Sequence, residues 1–188
     1  MPNWCNNLVT ISHDDSAAID RVETAYRNGR LLEEFVPVPE ALKAKETATY
    51  GGPDAAVYDE LREQNRQQYG YGDWWTFCVN EWGTKWDVGG GEEEGDIRRL
   101  SPTTVQLRFD SAWAPPVMAF ERMLEFDYNI VAYYWEPGMC FAGTWDNGSD
   151  DFYEYSDMTA DEIEQKFPND LQTVFEIADH IRSWEELG

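Results

Sequence analysis

The order of apolar and polar positions along this chain divides it into a series of short elements. Residues 3–12 (NWCNNLVTIS) gather Trp4, Leu8, Val9 and Ile11 ahead of a polar break and predict a strand. Asp15 or Ser16 then caps a helix in which Ala18, Ile19, Val22, Ala25 and Tyr26 recur at three- and four-residue steps, ended by Asn28-Gly29. Pro37 and Pro39 predict an extended connection across Leu31–Pro39. Residues 40–72 read as a helical insertion: a turn at Glu40–Lys45, a break at Gly51-Gly52-Pro53, and a polar helix over Ala55–Gln68 that lies on the surface or covers a groove. The aromatic run Trp74–Val88 predicts a strand, and Gly89–Gly95 a solvated loop.

In residues 103–109 (TTVQLRF), Val105, Leu107 and Phe109 alternate with polar neighbours, as in a half-buried strand. A helix follows Pro115-Pro116, with Val117, Phe120, Met123 and Leu124 on one side. Asn129–Trp135 and Cys140–Trp145 form a hairpin across the turn Glu136–Met139. The tail carries helices over Thr159–Lys166 and Asp170–Trp184, the second striped by Leu171, Val174, Phe175, Ala178 and Ile181. Setting aside the insertion and the last hairpin strand, the order is βαββαβ. This predicts an α+β fold: a ferredoxin-like antiparallel sheet with two helices on one face, an extra hairpin strand, and a C-terminal acidic helical extension. The expected units are residues 1–147 and the extension 148–188 packed on them.

Three blocks carry a resemblance: Pro2-Asn3-Trp4-Cys5-Asn6-Asn7, then Trp82-Gly83-Thr84-Lys85-Trp86-Asp87, then Pro137-Gly138 with Phe141-Ala142-Gly143. In this order and over roughly residues 1–147, the chain resembles the YubB-like family of phage- and plasmid-borne proteins with a ferredoxin-like domain. The resemblance implies that fold and a mobile-element setting, and it supplies no catalytic residues.

Charge changes the picture most. The 188 residues hold 37 Asp and Glu against 14 Lys and Arg, a formal net of −23. Direct nucleic-acid binding through a basic patch is not expected of such a chain. No apolar run is long enough for a membrane span, and the start lacks a basic region followed by an apolar stretch, so a cytoplasmic setting within a host cell is expected. Cys5, Cys78 and Cys140 have no CxxC spacing and read as reduced thiols.

Candidate chemistry is sparse. As a strand, residues 82–87 would place Trp82, Thr84 and Trp86 on one face and Gly83, Lys85 and Asp87 on the other. Trp82, Lys85, Trp86 and Asp87 would then be either a ring-stacking platform for a small ligand or nucleotide, or two core tryptophans beside a solvated pair. His13 and His180 have no spacing that sets them beside a cysteine, so no catalytic residue, metal ligand or cofactor is expected. Glu81, Asp87 and Asp110 are single acids among many, and Asp146–Asp151 lacks the EF-hand pattern and reads as a turn. The remaining feature is the tail, where residues 146–188 hold 13 acids and 2 bases. Asp150, Asp151, Glu154, Asp157, Asp161, Glu162, Glu164, Glu176, Asp179 and Glu186 would form a negative strip on it. The leading expectation is a non-catalytic accessory protein that binds a host protein with a basic surface, as a nucleic-acid mimic or counter-defence inhibitor. The alternative is an enzyme or ligand-binding protein using the aromatic run Trp74–Asp87. The sequence implies no oligomeric state.

Overall fold

The structure, a computed structural model, describes residues 3–44, 55–90 and 96–185. The expected break at Gly51-Gly52-Pro53, the Glu92–Glu94 part of the loop, and Glu186 lie outside the described residues. Among the described residues, six strands form one antiparallel sheet: β1 (Trp4–Ser12), β2 (Ile97–Ser101), β3 (Thr104–Ala112), β4 (Asn129–Glu136), β5 (Phe141–Asp146) and β6 (Ser149–Glu154). Their order is β2-β3-β1-β4-β5-β6, so the first four make the ferredoxin-like arrangement and the last two widen it beyond β4.

Alternation decides which face is buried. Cys5, Asn7, Val9 and Ile11 of β1 pair with Ser111, Phe109, Leu107 and Val105 of β3, and all eight are buried. Helices α1 (Ser16–Arg27), α2 (Leu31–Phe35) and α5 (Val117–Leu124) cover this face with Ile19, Val22, Leu31, Leu32, Phe120 and Met123. Asp15 caps α1 through the Ala17 N–H at 2.9 Å, as its sequence position predicts. Helix α3 (Ala55–Tyr69) is held by polar contacts: Arg62 and Asn65 are its buried residues, and Asn65 Nδ2 donates to Gly72 O at 3.1 Å.

Four sequence expectations are corrected. Leu31–Phe35 is helical, although Pro37 and Pro39 do follow its end, because Asp87 holds its first N–H groups from 55 residues away. Residues 74–88 are not a strand: Asp73 accepts from Thr76 N and Oγ1 and starts α4 (Trp74–Glu81), after which 82–88 run irregularly. The place that run was expected to take in the sheet belongs to β2, whose paired arginines hide its alternation. The tail helix expected over 170–184 is two, α7 (Asn169–Phe175) and α8 (Ile177–Glu185), divided at Glu176 with φ 52°. Gln172 supports the break, its carbonyl accepting from Glu176 N and its Oε1 from Ala178 N. Lastly, the turn expected at 146–151 is only Asn147-Gly148, with φ 46° and 97°, which leads directly into β6. The expected boundary at 147/148 thus falls inside a hairpin, and the extension donates the last strand of the sheet.

Helix α6 (Ala160–Lys166), with α7 and α8, covers the opposite face at the β4–β5 end. Ile163, Phe167, Leu171 and Ile177 pack there with Tyr133, Trp135 and Tyr155, and Trp135 Nε1 donates to the Tyr155 hydroxyl at 2.6 Å. Thr159 and Glu162 form a capping box at the start of α6.

Gly143 lets one contact across β5 form. The Tyr134 hydroxyl donates to Asp150 at 2.7 Å, crossing β5 where a Cβ on Gly143 would lie 2.1 Å from that oxygen and 2.7 Å from Asp151 O. Gly143→Ala is therefore expected to cost about 3 kcal/mol, the upper part of the usual overpacking range, read as a lower urea midpoint.

Candidate functional site

The three sequence blocks meet in space. Trp4 lies with its ring centroid 5.9 Å from that of Trp86. Trp113 N donates to Asn3 O at 2.9 Å, and Thr84 Oγ1 to Ala112 O at 2.8 Å. At the third block, the buried Glu136 accepts from Gly138 N and Met139 N, and a Cβ on Gly138 would lie 2.8 Å from Asn3 Nδ2. Lys85 Nζ sits 4.6 Å from the Trp86 ring centroid and 5.4 Å from that of Trp113.

Beside this cluster is a pocket of about 890 Å³. Its aromatic walls are Trp74, Trp82 and Trp86; its charged residues are Arg30, Lys43, Lys85, Glu33 and Asp87. The carboxylates are held by the fold. Asp87 accepts from Leu32 N at 2.7 Å, Val88 N at 2.8 Å and Glu33 N at 2.9 Å. Glu33 accepts from Val38 N at 3.1 Å and pairs with Lys43 at 2.9 Å. Trp82 is buried, and its indole N–H donates to Val36 O at 2.8 Å. This leaves Trp74 and Trp86 as ring surfaces, with Arg30 and Lys85 as cations that enter no ion pair among the described residues.

The strand reading of 82–87 is therefore corrected at the level of side chains: Trp82 and Thr84 are buried while Trp86 is 39% exposed. The block was visible as aromatic density. The contributions of Arg30 and Lys43 were missed, since they come from a helix-end loop and the end of a single 3₁₀ turn, whereas Trp74 belongs to the expected aromatic run and is the first residue of α4. Cys78 also lines the pocket, but burial first, then Glu33 and Asp87, push its thiol up to about 12, so it stays protonated near neutral pH. The Cys5 thiol is raised as well, by burial and then by Glu136. His13 packs against Tyr128, and His180 packs against Trp184 and edge-on against Trp135; neither histidine lines the pocket. Glu81 faces Tyr71 and Arg122 rather than Asp87.

The acids expected to form one strip are placed on different surfaces. Asp150 and Glu154 pair in register with Trp145 and Phe141, on the face that α5 covers, whereas Asp151 points to the other face. Asp161, Glu164 and Asp179 converge on Arg182 at 3.3, 2.9 and 2.7 Å. Glu162 caps α6, and backbone donation from Thr159 lowers its carboxyl pKa. Glu176 occupies the left-handed position between α7 and α8, and Asp157 is exposed.

If Asp87 holds the pocket together through backbone bonds, Asp87→Ala should cost about 3 kcal/mol in urea unfolding, with Asp87→Asn costing less. Burial raises the Asp87 carboxyl above its ordinary value despite those three donors, so folding takes up a proton there. The stability advantage of the native chain over Asp87→Asn should therefore shrink as pH rises from the ordinary carboxylate value through the raised one.

No family model matches the chain, and no curated protein matches it. Among solved structures it is similar to a crystal structure of a protein api92 from Yersinia pseudotuberculosis, of the family DUF1281, with 14% identity over 83% of this chain and 99% of that one, at a TM-score of 0.40.

Proposed function

We propose that the protein is a non-catalytic binding protein whose site is the tryptophan-walled pocket, and that it takes a flat ring joined to an anionic group, as in a nucleoside phosphate. One observation carries this reading: Arg30 and Lys85 enter no ion pair among the described residues and stand beside Trp74 and Trp86, in a chain of net charge −23, while both nearby carboxylates are tied to the backbone or to Lys43. Ring stacking contributes about 1–3 kcal/mol per base, and a cation beside the stacked ring adds a charge-assisted bond to the anionic group. The protonated Cys78 thiol, distant from either histidine, favours binding over nucleophilic chemistry.

The acidic surface gives a second reading, favoured by β6: it is the terminal strand of the sheet and carries Asp151 and Glu154 without a cation partner among the described residues. A phage- or plasmid-borne accessory protein docking on a basic host surface would use that edge. Neutralising Asp151 and Glu154 to Asn and Gln would then remove a salt-dependent host partner and leave ligand binding unchanged.

The pocket reading is tested by tryptophan fluorescence and calorimetry with AMP and ADP, alongside adenosine alone and inorganic phosphate alone. Saturable binding of the nucleotides is expected, with each half at least about tenfold weaker. Arg30→Ala and Lys85→Ala should each weaken binding by about five- to tenfold without lowering the melting temperature. Absence of saturation by either nucleotide at about 5 mM, an affinity too weak for a built site, overturns the reading.

A further inference from the structure

The Trp86 ring also borders a second cavity, of about 570 Å³, which shares Asp87 with the first but differs in charge. It opens along the part of β3 that β2 leaves uncovered, since β2 pairs only with Thr104–Leu107. On this edge Arg108 N donates to Asp96 O at 2.8 Å, and the Tyr26 hydroxyl donates to Arg108 O at 2.6 Å, which brings Asp96 and Tyr26 to the cavity wall. Trp4 and Trp86, 45% and 39% exposed, present their rings to the same space.

Among the described residues, three acceptors of this wall lack a donor. The Asp96 and Asp110 carboxylates enter no ion pair among the described residues, although the Arg108 side chain belongs to the same wall. Partial desolvation, then the Asp96 charge, raises the Asp110 carboxyl above its ordinary value. The third acceptor is Asn7, a wall residue only 1% exposed. Its Nδ2 donates to Cys5 O at 2.7 Å, Ser111 Oγ at 2.9 Å and Phe109 O at 3.3 Å, and its Oδ1 has no partner among the described residues. Two of those partners are carbonyl oxygens, so the amide cannot be turned round to satisfy the oxygen instead. A buried acceptor left without a donor is unfavourable, and a donor or a positive charge brought into the cavity relieves it.

We propose that this cavity is a binding site for a small organic cation, an ammonium or guanidinium group on a short apolar stem, faced by Trp4 and Trp86 and balanced by Asp96 and Asp110. The Trp86 ring already takes one cation, Lys85 Nζ at 4.6 Å, which shows that its surroundings suit such a contact. Net charge −23 concentrates small cations near the surface, and the two tryptophans select an organic cation over a hydrated metal ion. Among the described residues, no group of three or more His, Cys, Asp and Glu side chains is arranged to hold a metal. The site shares Trp86 and Asp87 with the anion pocket but relies on different charged groups, and neither reading requires the other.

The test titrates the full chain with choline and with agmatine, and with 3,3-dimethylbutan-1-ol as the uncharged counterpart of choline. Tryptophan fluorescence and ¹H–¹⁵N spectra provide the readouts. Saturable shifts at the Trp4 and Trp86 indole N–H and at the Asn7 side-chain amide are expected with at least one cation and not with the alcohol. Asp110→Asn and Asp96→Asn should each weaken binding about tenfold. Asp110 is exposed, so its variant should fold normally, as checked by its melting curve, and the Asp96 variant supplies a second reading of the same charge. The proposal is overturned if neither cation saturates, if the neutral alcohol produces the same shifts, or if both Asn variants bind as tightly as the native chain. Titrating ADP into the same two Asn variants separates the sites: nucleotide binding is retained where cation binding is lost.

Discussion

A single carboxylate joins two stretches of backbone that share no ladder. Asp87 takes the N–H groups at the start of α2 and that of Val88, linking residues 32 and 33 to the irregular segment 82–88. A five-residue helix has little stability of its own, because closing its first turn orders several residues for few bonds. With its first donors held, α2 can lay Leu31, Leu32 and Phe35 into the core. The same contact fixes the segment that carries Lys85 and Trp86, so core and site share one support.

This constraint also explains which elements were legible. Where a residue's partners lie in its own element, the pattern was sufficient: β1 and β3 alternate, and α1 carries its own cap and apolar stripe. Where the decisive partner is distant, the pattern misled. Prolines 37 and 39 read as extended because Asp87 cannot be seen from Leu31. Trp74–Glu81 read as a strand because its aromatic content outweighed one cap at Asp73. The β6 sequence SDDFYE shows no alternation of burial, and only its register with β5 makes it a strand. The site was half legible: Trp74–Asp87 stood out by composition, while Arg30 and Lys43 join it only after folding.

Charge follows the same logic of local use. A net of −23 suggests a uniformly negative surface, yet many acids are engaged within the fold: as caps at Asp15, Asp73 and Glu162, in the group around Arg182, and in turns at Glu136. What distinguishes the two cavities is therefore not total charge but which groups the backbone leaves unused. In one these are cations, in the other carboxylates and a carboxamide oxygen. A tryptophan ring separates them.

The crossing of Tyr134 over Gly143 sets a rule for how such a chain can change over generations. An aromatic ring at 134 that reaches across β5 requires the absence of any side chain at 143, and its hydroxyl gives Asp150 a fixed partner. Position 143 cannot acquire a methyl group while the ring remains, so the order of events is constrained: the ring must shorten first. Positions 134 and 143 are thus linked in a fixed order, and lineages of this fold with a side chain at 143 should carry a shorter residue at 134.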